Sequence, residues 1–262
     1  MEGLSYTGSM RARAIMYHDV VEGGDFGSSG FPGEGADVYK LRREDFERHL
    51  DAIAAATRES VLLTFDDGGV SFLTPIAGLL EGHGWRGHFF ITTDRIGTPG
   101  FLTEDQVREL HRRGHTIGSH SCSHPTRMAA LTRAELDREW RQSLGRLSEI
   151  LGSKVTSASV PGGYYSRKVG ESAAAAGIET LFTSEPTSRV SMLNGCRVMG
   201  RYVVQRGMAP EWSGGFAAGR AAQCLRQAAL WKAKRVAKSL GGARTSSGIW
   251  TRSRRRPASP SC

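Results

Sequence analysis

The sequence predicts an α/β fold in which parallel strands curl into a closed or nearly closed barrel. Short apolar runs alternate with helical segments about seven times over roughly 200 residues, and such alternation builds a parallel sheet with helices outside it. That many units in that length favours closure over an open sheet. In a parallel barrel, reactive groups gather where strands end. Two strand ends here carry unusual chemistry: paired aspartates in "TFDDG" (64–68) and paired histidines in "HSCSHP" (120–125).

Residues 12–16 (ARAIM) read as the first strand, ending in Tyr17-His18-Asp19. The Gly/Ser/Pro-rich stretch that follows, "EGGDFGSSGFPGEGADVY", is long for a loop in a folded domain, and such loops are functional or mobile. Residues 44–57 form a helix, because Phe46, Leu50, Ile53 and Ala54 share one face. A buried strand over 61–65, a helix over 70–83, a strand over 88–93, a helix over 103–113 and a strand over 115–119 come next. Leu136, Trp140, Leu144, Leu147 and Leu151 recur every three or four residues and mark a long helix over 132–151. The pattern closes with a strand at 155–160, a helix at 167–176 and strands at 179–183 and 197–204. No internal repeat is present.

Charge divides the chain. From Arg220 onward there are eleven basic residues and no acidic one; removing those eleven from the total of 35 leaves 24 basic against 26 acidic residues before them. The body is near neutral, and the basic character belongs to the C-terminal stretch. No nucleic-acid recognition motif accompanies it. Cys122, Cys196, Cys224 and Cys262 are scattered without CxxC spacing, which excludes a disulfide framework or zinc ribbon and suits a reducing compartment. The first twenty residues lack the apolar run of a signal peptide, and no segment reaches the roughly 18 apolar residues a bilayer span needs. A cytoplasmic location is the resulting expectation.

Asp66 and Asp67 pose a cost. Two adjacent carboxylates at the end of a buried strand repel, and one pKa is driven up. A charged Asp-Gly turn is the plain alternative. The histidines tip the balance. His120 and His124, at i and i+4, place two imidazoles on one side of a turn, and Pro125 keeps His124 out of helical dihedrals. A carboxylate with two histidines holds zinc and leaves positions open for water and substrate. One aspartate then offsets cation charge while the other stays free as a base. Cys122, between the histidines, reads as a spacer.

These motifs, with the connecting "GHFFITTDRIGTPGFLTEDQVRELHRRGHTIGSH", resemble the polysaccharide deacetylase family (NodB-homology, carbohydrate esterase family 4-like) over roughly residues 12–205. The resemblance implies a distorted (β/α) barrel, usually of seven strands, that uses a divalent metal to remove acetyl groups from N-acetylated sugars. Zinc is the default ion for mixed nitrogen and oxygen ligands. Matched residue by residue, Asp67, His120 and His124 correspond to the metal ligands and Asp66 to the general base. The family's Arg-x-Pro-x-Gly motif matches "SVPGGYY" (159–165). Pro161 and Gly163 are kept, the Gly162 N–H becomes the oxyanion donor, and Tyr164, Tyr165 and Phe31 are candidates to line a sugar groove.

The chain also departs from the family pattern. Ser159 replaces the motif arginine that orients the base, leaving Arg197 or Arg201 on the last strand to do so, or nothing. "LFTSEP" (181–186) offers Ser184 and Glu185 where the family carries Asp near Trp. No histidine follows His124, so the family's late general acid is missing; His18, at the end of the first strand, is its replacement unless it is a structural residue. His49, His83, His88, His111 and His115 are expected to have ordinary surface roles.

The expected organisation is a flexible N-terminus (1–11), a deacetylase barrel (12–205), a basic helical extension (206–240) and a disordered basic tail (241–262). The expected activity is hydrolysis of the N-acetyl group of a sugar or polysaccharide intermediate, including a glycolipid; an inactive barrel that binds a glycan or glycolipid is the alternative. Within residues 217–240, Leu225, Ala229, Ala233, Val236 and Leu240 step along one side of a basic helix. Such a helix either lies on an anionic membrane or packs that side on the barrel, and both readings stand. No sequence feature sets an oligomeric state.

Overall fold

One curled sheet of nine strands, extending over most of the chain, is sealed by its last barrel strand. The computed structural model describes residues 10–241, so most of the expected N-terminal arm and basic tail lies outside the described residues. In chain order the strands are β1 (Ala14–Tyr17), β2 (Val20–Val21), β3 (Leu41–Arg42), β4 (Leu62–Phe65), β5 (Gly87–Ile91) and β6 (Thr116–Ser119). They continue as β7 (Ser157–Ser159), β8 (Thr180–Phe182), β9 (Val190–Leu193), β10 (Cys196–Met199) and β11 (Tyr202–Val203). β2 and β3 pair separately, and the main sheet runs β11-β1-β4-β5-β6-β7-β8-β10-β9.

β10 and β11 are two halves of one strand. The first pairs in parallel with β8 and the second with β1, so residues 196–203 bridge the gap and complete seven barrel strands. The halves meet at Gly200 and Arg201. A Cβ on Gly200 would fall 2.2 Å from the Glu185 carbonyl oxygen, so only glycine lets the strand step across there. β9 folds back on β10 as an antiparallel hairpin through Asn194-Gly195, an element the sequence reading lacks. The Ala12 N–H donates to Ser188 O and the Val190 N–H to Met10 O. Residues 10–11, assigned above to a flexible arm, are therefore tied to the sheet.

The helices are α1 (Glu34–Asp37), α2 (Arg43–Ala56), α3 (Gly78–Gly82), α4 (Glu104–Arg112), α5 (Arg133–Leu151), α6 (Arg167–Ala175), α7 (Pro210–Ala217) and α8 (Ala221–Gly241). Capping boxes start α4 (Thr103 with Gln106) and α5 (Thr132 with Glu135), each satisfying two N–H groups that a helix start leaves open. The expected helix at 70–83 is broken. A 3₁₀ turn at Val70–Phe72 gives way to an extended Thr74 before Pro75, and only Gly78–Gly82 is α-helical. Proline supplies no N–H and drives its predecessor out of helical dihedrals.

Side chains alternate across the strands, and the alternation makes two cores. Ile15, Tyr17, Leu63, Phe65, Phe89, Ile91, Ile117, Ala158 and Leu181 point outward into the main core beneath the helices. Ala14, Phe90, Phe182 and Met199 form a smaller core inside the barrel. Below it the barrel opens into a cavity of about 600 Å³ lined by Leu62, His88, Thr116, Thr180 and Arg197, among others. Above it the same inward positions bring Asp66, His120, Ser159 and Arg201 together.

The stretch 206–240, expected as one extension, divides at Gly219. α7 belongs to the barrel's helical shell. It packs against α2 so closely that a Cβ on Gly214 would lie 2.8 Å from Ala52 O. His49 is buried there rather than at the surface, bonded to Ser213 Oγ at 2.6 Å and to Met208 O at 3.1 Å. His115 is likewise buried, accepting from the Gly87 N–H and facing Glu81 at 3.1 Å. α8 then covers the sheet edge. Gln227 Oε1 accepts from the Val203 N–H (3.0 Å) and its Nε2 donates to Val203 O (2.8 Å), so a side-chain amide takes the place of a missing strand. Replacing Gln227 with Leu keeps the bulk and orphans both backbone groups. It is expected to cost about 1–3 kcal/mol, read as a lower urea midpoint at unchanged slope.

Candidate active site

Strand ends deliver the site. β4 runs directly into Asp66 and Asp67, β6 into His120 and His124, β7 ends at Ser159, and the β10–β11 break carries Arg201. Arg201 is fully buried. Its Nη1 and Nη2 each donate to one oxygen of Asp66 at 2.7 Å, while Nε donates to Thr183 O (3.1 Å) and Nη1 also to Thr64 Oγ1 (3.2 Å). The guanidinium lies above the Phe90 and Phe182 rings, 5.7 and 5.8 Å from their centroids. Of the two arginines named from sequence, Arg201 is the one that pairs with Asp66; Arg197 lines the lower cavity instead.

Ser159 is more than a lost arginine. His120 Nδ1 donates to Ser159 Oγ (2.5 Å) and Ser159 O (3.2 Å), and Ser159 Oγ donates on to Asp66 Oδ1 (3.1 Å). With its proton held on Nδ1, His120 presents the Nε2 lone pair to the cavity, the arrangement a ligand imidazole needs. That Nε2 lies 3.4 Å from Asp67 Oδ1, and His124 Nε2 lies 3.4 Å from the same oxygen. The three ligand atoms fall within 4.8 Å of one another. One carboxylate oxygen and two free imidazole nitrogens, converging on one point, fit a divalent cation. Asp66 stands just outside this set, its Oδ2 4.0 Å from His120 Nε2.

The backbone is strained where these ligands sit. Asp67 (φ 90°), Ser121 (φ 63°) and His124 (φ 58°) are three of the four non-glycine residues with positive φ among those described; the fourth, Asn194, is in the hairpin turn. Such conformations persist only where the surroundings over-determine them, and they cluster at functional sites.

Burial alone raises the Asp66 carboxyl, but the Arg201 charge, with His120 and His18, overrides it and holds the group below its ordinary value. Asp67 is also penalised by burial, yet the facing imidazoles of His120 and His124 carry it well below the carboxylate range. His124 loses by burial and gains more from Asp67, ending raised. His18 is lowered, chiefly by burial, against the opposing pull of Asp67 and Asp66. Its Nδ1 is buried without a partner and its ring lies 4.7 Å from Tyr39.

The glycine-rich loop forms one wall. Phe31 packs on His124 (centroids 4.7 Å apart) and on Phe101 (5.1 Å), with the Arg95 guanidinium 5.2 Å above it. Buried Asp19 fixes this wall to the floor: its Oδ1 accepts from Ser29 Oγ (2.6 Å) and Ser71 Oγ (2.8 Å). Burial, only partly offset by those two hydroxyls, raises Asp19 to about 6. Sequence reasoning missed Asp19, although a carboxylate beside a strand-end histidine and a serine-rich loop were both in view.

The 159–165 stretch turns sharply after β7. Pro161 is buried, while Gly162 (φ 64°) is exposed at the rim and precedes Gly163 (φ 71°) in a tight turn after β7. Tyr164 lies 5.4 Å beneath the Arg127 guanidinium. Tyr165 instead packs against the main core, close enough that a Cβ on Gly170 would meet its hydroxyl at 2.7 Å. Its placement is that of a packing residue rather than a groove residue.

Residues 54–181 match the family model described as polysaccharide deacetylase. YxkH of Bacillus subtilis, which carries a polysaccharide deacetylase name, is 27% identical over 160 residues, 61% of this chain and 57% of YxkH. The peptidoglycan-N-acetylglucosamine deacetylase PgdA of Listeria monocytogenes is 40% identical over 73 residues, 27% of this chain and 15% of PgdA. The chain thus spans less than two thirds of the curated relatives it matches. Among solved structures, the Streptococcus pyogenes deacetylase PplD, determined with acetate, superposes with a TM-score of 0.63 at 19% identity, covering 78% of this chain and 96% of PplD. The fold is shared.

Removing Arg201 should expose the cost of the site. Arg201→Met leaves Asp66 buried and unpaired, and is expected to lose about 3–5 kcal/mol in urea unfolding at neutral pH. Adding Asp66→Asn should restore part of that loss, because the second change removes the stranded charge; an additive double variant would contradict the pairing.

Proposed function

The chain belongs to the polysaccharide deacetylase family through residues 54–181, and on that premise we propose that it is a metal-dependent hydrolase of the N-acetyl group on a sugar. The observation that carries this reading is the convergence of Asp67, His120 and His124 beside an oriented, ionised Asp66. A divalent ion held there, zinc by default, would supply Lewis-acid polarisation of the acetyl carbonyl and a more acidic water.

The protein's own groups account for the remaining steps. Arg201 and Ser159 occupy Asp66 Oδ1, and Arg201 alone occupies Oδ2. Oδ2 also faces the ligand cluster, so it is the atom that accepts the proton of the attacking water. A carboxylate held below its ordinary pKa is a weak base, which suits a water already acidified and none other. Gly162, exposed at the rim, offers its N–H to the oxyanion that develops as water adds. His18, within electrostatic reach of both aspartates, hands a proton to the departing amine. Phe31 and Tyr164 give the sugar ring flat surfaces to rest on. The substrate is an N-acetylhexosamine in a saccharide or lipid-linked form; acetate release from a panel of free, nucleotide-linked and lipid-linked N-acetylhexosamines identifies which.

Two variants separate the roles. Asp66→Asn should keep the metal and lose about 10²–10⁴-fold in turnover, whereas His120→Ala should lose metal content and activity together, measured by elemental analysis and acetate release. Full metal occupancy in His120→Ala would overturn the ligand assignment.

His18 is tested by its titration. A proton donor whose pKa is depressed loses its proton, and hence its use, as pH rises, so the wild-type rate should fall on the alkaline side. In His18→Ala that limb should flatten at normal metal content and reduced rate. An unchanged pH–rate profile would return His18 to a structural role.

A further inference from the structure

Helix α8 has two opposed faces, and the apolar one is turned outward. Gln223, Cys224, Gln227, Ala228 and Trp231 are half-buried on the barrel side. Gln227 fixes that choice through its two bonds to the Val203 backbone, and Gln223 packs against Gly215, where a Cβ would meet it at 2.7 Å. The opposite side exposes Ala222, Leu225, Ala229 and Ala233, one stripe at helical spacing, with Leu230 at its margin. Leu225 is 69% exposed and Leu230 54%. Among the described residues, the other exposed large apolar side chains, Met10, Val38 and Met192, lie on three separate segments. Of the two placements open from sequence, packing of Leu225, Ala229 and Ala233 on the barrel is therefore the one the structure does not adopt; the side chains of Val236 and Leu240, the rest of the expected stripe, lie outside those described.

Charge says what covers the stripe. Exposed Arg226 and Lys232 flank it, the former also 5.2 Å from the Trp212 ring centroid. No acidic residue occurs from Arg220 to the end of the chain, against eleven basic ones. Two copies joined through this face would bring like charges together with no carboxylate of their own to offset them. An anionic surface with an apolar interior satisfies both components at once. No described helix is long and apolar enough to cross a bilayer, so contact of this kind is interfacial.

We propose that α8 docks the protein on anionic lipid bilayers, with Leu225, Ala229 and Ala233 entering the acyl boundary and the basic residues engaging headgroups. The full chain should sediment with phosphatidylglycerol vesicles and not with phosphatidylcholine vesicles, and recovery should fall as salt rises. Leu225→Ser/Leu230→Ser, which removes apolar surface and no charge, should weaken vesicle binding at least fivefold while thermal melting and acetate release in solution stay as in wild type. Equal recovery with both lipids, salt-insensitive recovery, or wild-type binding by the double variant would each overturn the proposal. So would a dimer, detected without lipid, that the double variant dissolves, since a second copy would then own the stripe. Apart from acetate release, none of these readouts depends on the catalytic reading, so failure of one proposal is distinguishable from failure of the other.

Discussion

The buried pair between Arg201 and Asp66 is the constraint to which the site is built. A carboxylate at the heart of a barrel is costly unless every lone pair is met, and a buried guanidinium is costly unless every nitrogen is. Here both demands are satisfied together: two parallel bonds of 2.7 Å join them, and the remaining guanidinium nitrogen finds a backbone carbonyl. The consequences spread outward. Asp66 stays ionised, Ser159 is drawn to it, and the Ser159 hydroxyl in turn sets the tautomer of His120. The strand end at Ser159 carries no charge of its own, and the charge that holds Asp66 comes from another strand.

The scaffold achieves this by a plain rule of strands. Every second residue points inward, so a strand that contributes packing at one level contributes chemistry one level higher. Phe90, Phe182 and Met199 fill the middle of the barrel, and their rings form the floor on which Arg201 lies. The positive-φ residues at Asp67 and His124 show where the chain leaves that regularity to aim side chains that a straight strand would misdirect.

The legible parts of the sequence were those written locally. Asp66, Asp67, His120 and His124 stand in two short motifs, and strand–helix alternation outlined the seven barrel strands with boundaries within about two residues. Arg201 could be narrowed only to one of two, because its partner lies 135 residues away and strand alternation does not reveal which arginine sits level with Asp66. Ser159 looked like a loss, since a hydroxyl announces no partner until neighbouring strands are in register. His49 and His115 looked superficial for the same reason. Helical periodicity exposed the stripe on α8 but was silent on its direction, which two backbone bonds from Gln227 decide.

The strand that completes the barrel also carries the arginine, and this ties the burial of Asp66 to the order in which the chain is made. Contacts between residues far apart in sequence form late, because chain entropy must be overcome first, and a chain leaving the ribosome exposes its early segments alone. Asp66, Asp67 and both histidines emerge well before residue 201. Until the closing strand arrives, Asp66 can remain hydrated in an open sheet, with Ser159 at hand but no guanidinium to pair with. The buried ion pair is thus completed in the same event that seals the fold.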